Sequence, residues 1–287
     1  MRESTLINQL ICAQGPLSKI DIHSESSKDD TIAIIPCAGK GSRMDVKLGP
    51  KALRRINGIC SLDSIIQSIS AFVREAIIII DNSEASIQAF NKYLAASNFP
   101  EVKIKLIPIV GGKGDGDAIF HGIKSIENKY TASTLIVWGD VFIHNPKFIK
   151  KCLDIFSNLN DEIKFFIPTF TALKPYVAFE RDFEGFAKKV FFKRKKEVFD
   201  FVEQDLCLFF LQQEFFLKYA ELFRNECLDD SGEYKTYNNE FNLLEFISYL
   251  FKLKQKVLAA NIGRRDFVSS FNSEAELKEI SLKSSKK

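Results

Sequence analysis

The chain has 287 residues, 46% of them hydrophobic and 27% charged, and 40 basic against 37 acidic side chains leave a formal net charge of +3. A chain of this size buries roughly three quarters of its unfolded surface, so it can hold a rigid site without disulfides or a structural metal. So small a net charge gives no reason to expect nucleic acid as the partner.

In chain order, residues 1–30 divide into an apolar patch, "LINQLICAQ", and a polar stretch, "HSESSKDD", and read as an N-terminal extension or linker. A single domain is expected over 31–287. Short runs rich in branched residues and closed by turn formers follow: "TIAIIPC" (31–37), "AIIIIDN" (76–82), "KIKLIPIV" (103–110), "STLIVWGD" (133–140) and "EIKFFIPTF" (162–170). They read as central parallel strands. Between them, Ile65, Ile66, Ile69, Phe72 and Val73 recur at helical spacing, as do Ile119, Ile123 and Ile126. Phe148, Ile149, Cys152, Leu153 and Phe156 do so after Asn145-Pro146, which reads as N-cap and first helical position. The second half is less regular: 197–212 reads as further strand, 239–253 as a helix with a buried face, and 256–263 as a late strand. The expected fold class is α/β, a Rossmann-like, mixed but mainly parallel sheet flanked by helices, with ligands at the carboxyl ends of its strands.

Six scattered cysteines with no C-x-x-C pair supply neither a zinc site nor a disulfide framework, and a reducing, cytoplasmic setting is expected. His23, His121 and His144 are too dispersed for a histidine-based metal site or triad. No apolar run reaches the roughly 18 residues of a membrane span, and the first residues lack the apolar segment of a signal peptide. The basic run "KKVFFKRKK" (188–196) reads as a solvated strand or hairpin edge.

The stretch "IAIIPCAGKGSRMDVKLGPKAL" (32–53) carries the chemistry. A buried strand ends at Pro36, and Gly39 and Gly41 follow in a loop where missing side chains let main-chain N–H groups approach an anion. Arg43 adds a planar donor fork suited to phosphate oxygens, and Lys51, behind the rigid Pro50, adds a compact positive charge. The loop is neither a Walker A motif nor a complete G-x-G-x-x-G, since Met44 stands in the third glycine's place.

"AGKGSRM" followed by "GPKAL" resembles the signature of the nucleotidyltransferases that make activated sugars and polyols. The resemblance implies the nucleotide-diphospho-sugar transferase type of fold, with Ala38, Gly39, Gly41 and Ser42 binding nucleotide and Arg43 and Lys51 acting on its phosphates. "GGKGDGDAI" resembles that family's nucleobase loop and places Gly114, Asp115 and Gly116 there, with Asp115 where the family has threonine. "LIVWGDVFI" resembles the strand-end segment whose aspartate holds magnesium, which falls on Asp140. "FNSEAEL" resembles the closing segment with a second metal ligand, which falls on Asn272, with Asp266 in reserve. In the acceptor half, Lys193 and Asp205 are the nearest equivalents of the sugar-lining residues. The implied reaction transfers a nucleoside monophosphate from a nucleoside triphosphate, CTP or UTP by similarity, to a phosphorylated sugar, polyol or similar acceptor with Mg2+ and release of pyrophosphate. Nucleic acid and membrane are not expected as partners, and self-association is left open. Two alternatives remain at this stage: a glycosyltransferase, for which Asp115 and Asp117 would form the D-x-D metal motif, and a nucleotide-binding relative without turnover.

Overall fold

The computed structural model describes residues 26–39, 49–126, 133–159, 161–173, 175–192 and 201–284. The chain enters through β1 (Thr31–Pro36), passes a 3-10 turn at Lys51–Leu53, and forms a small hairpin, β2 (Arg55–Ile56) and β3 (Ile59–Cys60), turning on Asn57 and Gly58, both at positive φ. α1 (Ser61–Ile69), β4 (Glu75–Asp81), α2 (Glu84–Ala96), β5 (Lys103–Ile109), α3 (Asp115–Lys124) and β6 (Ser133–Val137) follow. Then come β7 (Val141–Ile143), α4 (Pro146–Ser157), β8 (Ile163–Leu173) and a second hairpin, β9 (Val177–Arg181) with β10 (Ala187–Phe192). The last part holds β11 (Phe201–Asp205), β12 (Leu208–Leu211), α5 (Gln213–Cys227), α6 (Leu243–Lys252), β13 (Lys256–Asn261), β14 (Val268–Ser270) and α7 (Glu274–Ser284).

Among the described residues the main sheet runs β11-β8-β12-β6-β1-β4-β5, with β13 on the other side of β8. β1 pairs in parallel with β4 and β6, and β4 with β5. Alternation sorts the β1 side chains: Ala33 and Ile35 pack with Ile65 of α1, Phe90 of α2 and Ile149 of α4, whereas Ile32 and Ile34 pack with Ile119 of α3, Phe216 of α5 and Phe246 of α6. Both faces of β1, β4 and β6 are covered, which is why these strands read as unbroken apolar runs, whereas β5, expected as a central strand, lies at the sheet edge with Lys103 and Pro108 exposed. Burying them is the main stabilising term.

β8 runs in the same direction as β6 but is not its neighbour: β12 lies antiparallel between the two. The segment expected as one strand over 197–212 is two strands within its described part. Cys207 between them adopts φ +58, and its N–H is held by the Asp205 carboxylate at 2.8 Å. β11 and β12 both pair along one side of β8, but only β12 also pairs with β6, so at Cys207 the chain passes from pairing with β8 alone to pairing with both strands.

Other expectations shift in detail. The first helix stops at Ile69, and Phe72 and Val73 follow in turns whose N–H groups return to the Ile69 carbonyl at 2.8 and 3.1 Å. α3 likewise ends before Ile126, and Asn145 precedes α4 without a side-chain cap bond. α2, α5 and the β9–β10 hairpin were not read from the sequence. The described part of the basic run is β10, one strand of that hairpin; 193–200 lies outside the described residues. Ser26 donates from N and Oγ to Asp154 on α4 at 2.8 and 2.9 Å, so the chain is already tied to the domain ahead of β1. Among the described residues no helix is long and apolar enough to cross a membrane.

Candidate active site at the carboxyl edge of the sheet

The ends of β1 and β6 meet through a close approach. A Cβ on Gly139 would lie 2.5 Å from Cys37 Sγ and 2.9 Å from the Pro36 carbonyl oxygen, so only glycine lets the two strand ends sit side by side. Ser61, the first residue of α1, adds a second tie: its hydroxyl reaches the Gly139 carbonyl at 2.7 Å and the Ala52 carbonyl at 3.2 Å. It thereby joins the turn after β6 to the 3-10 turn that carries Lys51.

On this frame Lys51, Asp140 and Asn272 converge. The Lys51 ammonium donates to Asp140 Oδ2, lies 3.4 Å from Asn272 Oδ1 and sits 5.0 Å from the centre of the Phe271 ring. The Lys51 and Asp140 side chains are 20% and 24% exposed, so the cluster is sheltered but open to a solute. Asn272 stands two residues before α7; its N–H donates to Glu276, and the Ser273 hydroxyl accepts from the Glu276 N–H at 3.3 Å. Asp266 is not in this cluster: its carboxylate is exposed and takes both ends of the Arg264 guanidinium at 3.0 and 3.1 Å.

The loop expected to bind nucleotide is described in part. Ala38 is buried, and a Cβ on Gly39 would meet open space. Gly41, Ser42 and Arg43 lie outside the described residues. The Ala38 carbonyl comes close enough to Gly111 that a Cβ there would lie 2.6 Å away, which sets this loop beside the glycine-rich segment preceding α3.

That segment is clamped by Phe241. Gly116 N donates to the Phe241 carbonyl at 2.9 Å, and Phe241 N donates to the Lys113 carbonyl at 2.8 Å. Gly114, at φ +102, has no room for a Cβ, which would lie 2.2 Å from the Phe241 oxygen; one on Gly116 would lie 2.5 Å from the Phe241 ring. The Asp115 carboxylate points to the start of α6, accepting from Leu243 N at 2.7 Å and from Asn242 Nδ2 at 3.2 Å. Asp117 turns elsewhere: buried, it pairs with Arg224 of α5, accepts from the Tyr234 hydroxyl at 2.5 Å and lies 3.5 Å from His121. Desolvation and the cations Arg224, Lys124 and Lys113 outweigh the pull of Asp117 and lower the pKa of His121, so it stays neutral at pH 7. The two aspartates of the D-x-D reading thus serve different structural partners.

Of the acceptor-side candidates, Lys193 lies outside the described residues. Asp205 ends β11 opposite Thr169; it is buried, its pKa is raised by that burial, and it accepts from Cys207 N. It shapes the bend at Cys207. Nearby, Glu203 is buried against Arg181 and the Thr169 hydroxyl, and Arg181 reaches the Gly185 carbonyl at 2.7 Å, which ties the β9–β10 hairpin to the sheet. Two thiols flank Asp140. Burial, reinforced by the Asp140 charge, pushes both Cys37 and Cys207 up, so neither is a thiolate nucleophile.

Ser61, the Phe241 clamp and a contact between Arg54 and Glu274 were not read from the sequence. Beside Glu274, the Ser273 and Glu276 pair that begins α7 does carry a local signature, the S-x-x-E spacing.

The donor set bears on a divalent ion. Among the described residues no group of three or more His, Cys, Asp or Glu could hold a metal. Asp140 and Asn272 offer two oxygens facing a cation, a set that suits magnesium completed by substrate phosphates and not a fully protein-bound ion.

No protein-family model and no curated protein sequence matches the chain. Solved structures do. A UDP-glucose pyrophosphorylase complexed with UDP-glucose superposes with a TM-score of 0.69 at 14% identity, covering 89% of this chain and 98% of that one. The inositol-1-phosphate CTP transferase from T. maritima gives 0.63 at 14% identity, over 90% of this chain and 95% of its own. HddC from Yersinia pseudotuberculosis gives 0.60 at 15% identity, over 88% and 98%. The chain has the fold of these proteins, the nucleotide-diphospho-sugar transferase fold, over nearly its whole length.

Proposed function

We propose that the protein is a magnesium-dependent nucleotidyltransferase that moves a nucleoside monophosphate from CTP or UTP to a phosphorylated sugar, polyol or similar small acceptor. The observation that carries this reading is the convergence of Lys51, Asp140 and Asn272, 89 and 221 residues apart in the chain, at the carboxyl edge of the sheet. The fold adds weight: among the neighbours are a UDP-glucose pyrophosphorylase and an inositol-1-phosphate CTP transferase.

The acceptor's phosphate oxygen is already an anion at neutral pH, so attack on the α-phosphorus needs no strong general base, in keeping with a site that holds no histidine or thiolate. The oxygen forms the new bond as the bond to pyrophosphate breaks. What the protein supplies is alignment and charge neutralisation. Asp140 and Asn272 would hold Mg2+, which when bound neutralises phosphate charge and orients the triphosphate. Lys51, on a flexible four-carbon stem, swings from Asp140 to a phosphoryl oxygen; Arg43 and the backbone of 38–42 serve the remaining oxygens. A glycosyltransferase reading loses its metal pair, because Asp115 and Asp117 are engaged by α6 and by Arg224.

The test is to incubate the purified protein with each nucleoside triphosphate, Mg2+ and a panel of phosphorylated acceptors while following pyrophosphate. Pyrophosphate with one pyrimidine nucleotide is expected. Nucleotide binding with no release across a broad panel would instead mark a relative without turnover.

A further inference from the structure

We propose that the ion pair between Arg54 and Glu274 positions the reaction centre: it fixes the Lys51 turn against the Asn272 segment so that both side chains reach Asp140 together. The inference rests on the reading of Lys51, Asp140 and Asn272 given above.

Arg54 closes the 3-10 turn, its N–H donating to the Lys51 carbonyl at 3.2 Å. Its guanidinium is buried; one arm meets Glu274 and the other lies 3.5 Å from the Gly49 carbonyl, so a single side chain touches both flanks of Lys51. Glu274 is the first residue of α7, two positions after Asn272. The first turn of α7 grips the Asn272 backbone through Glu276, and Arg54 in turn grips that first turn.

α7 makes other contacts as well. Leu277 and Ile280 pack with Ile56, Phe142 and Phe271 in a small satellite cluster, and Ser281 reaches Asn57 at 3.4 Å. A patch of that kind sets where a helix lies but resists sliding along its axis poorly, because apolar contact has no directional preference. A fork meeting a carboxylate does have one. Glu274 is 41% exposed but Arg54 only 7%, so removing the carboxylate also leaves a buried guanidinium, and the folded fraction of each variant is read beside its geometry.

Glu274→Ala, Glu274→Gln and the wild type test this in two ways. Crystal structures give the distance from Lys51 Nζ to Asn272 Oδ1, now 3.4 Å; Glu274→Ala is expected to widen it by about 1 Å or more, a looseness that cripples a site without unfolding it. An unchanged distance in a folded variant overturns the proposal. Electron paramagnetic resonance of Mn2+ with saturating UTP or CTP gives metal affinity without turnover. Glu274→Ala should weaken it about tenfold or more, while Glu274→Gln, which keeps an oxygen facing Arg54, stays within about threefold. Equal affinity in all three, or a loss matched by a proportionate drop in folded fraction, overturns it. Should the wild type neither bind Mn2+ with nucleotide nor release pyrophosphate, the reading of the centre fails, and the crystallographic distance still decides the tie.

Discussion

Lys51 brings a full positive charge into a niche where a fifth of its side chain meets solvent, and it finds two oxygens that belong to segments far away in sequence. Groups placed to meet charge that develops in a transition state are worth roughly a hundredfold to a thousandfold in rate. Lys51→Ala and Asp140→Asn are each expected to cost about a hundredfold in kcat for pyrophosphate release. Both proteins should stay folded by circular dichroism, and an unchanged rate would remove either residue from the centre. The thiols make a second prediction. Cys60 and Cys152 are fully buried and held above the ordinary thiol range by that burial, so at pH 8 the thiolate fraction is smaller than in a free cysteine. Intact-mass measurement after iodoacetamide should show both unmodified in the native protein and alkylated in denaturant. Lys51 and Asp140 were legible because their neighbours, Pro-Lys and Gly-Asp, are local signals. The direction of the Asp115 carboxylate was not, since it answers to Asn242 and Leu243 across more than a hundred residues.

At the scale of elements, α3 is fastened at both ends of its first turn. Phe241 packs against Gly114 and Gly116, while Asp117 is locked to Arg224 and Tyr234, so α5, α6 and the link between them form a brace behind the glycine-rich loop. Gly116→Ala would push a methyl into the Phe241 ring and should cost about 1–3 kcal/mol in denaturant unfolding. Paired with Phe241→Ala, the two changes should be markedly non-additive, because the second removes the clash the first creates. Asp117→Asn strands a partly buried guanidinium and is expected to cost about 3–5 kcal/mol, falling to the lower end because Arg224 keeps some contact with water. This brace could not be read from the chain. A pattern of 3.6 residues shows that α6 has an apolar face, but not that its first residue is preceded by a phenylalanine carbonyl reaching α3. The parallel strands were the opposite case: burial on both faces leaves an isoleucine run that no other setting explains as simply.

On the scale of the whole molecule, a ligand that binds only the folded chain raises its stability by mass action. A hundredfold excess of the cognate nucleotide over its dissociation constant should add about 2.7 kcal/mol, which for a chain of this size is a melting rise of roughly 4–5 °C. A thermal-shift screen of the nucleoside triphosphates with Mg2+ should therefore single out one pyrimidine, and a flat profile would argue against the nucleotide reading. The α/β architecture was legible as short apolar runs alternating with stretches of period 3.6, whereas the place of β8 was not, because sequence order carries no trace of β12 returning between β6 and β8. That inserted strand has a mechanical meaning. Within the described sheet, the side formed by β8, β11 and β13 is stitched to the side formed by β6, β1, β4 and β5 by β12 alone, four residues long, next to a cysteine in a left-handed conformation that costs about 1–2 kcal/mol. The two sides resemble the covers of a book with a narrow spine, and a shear between them has one seam to follow.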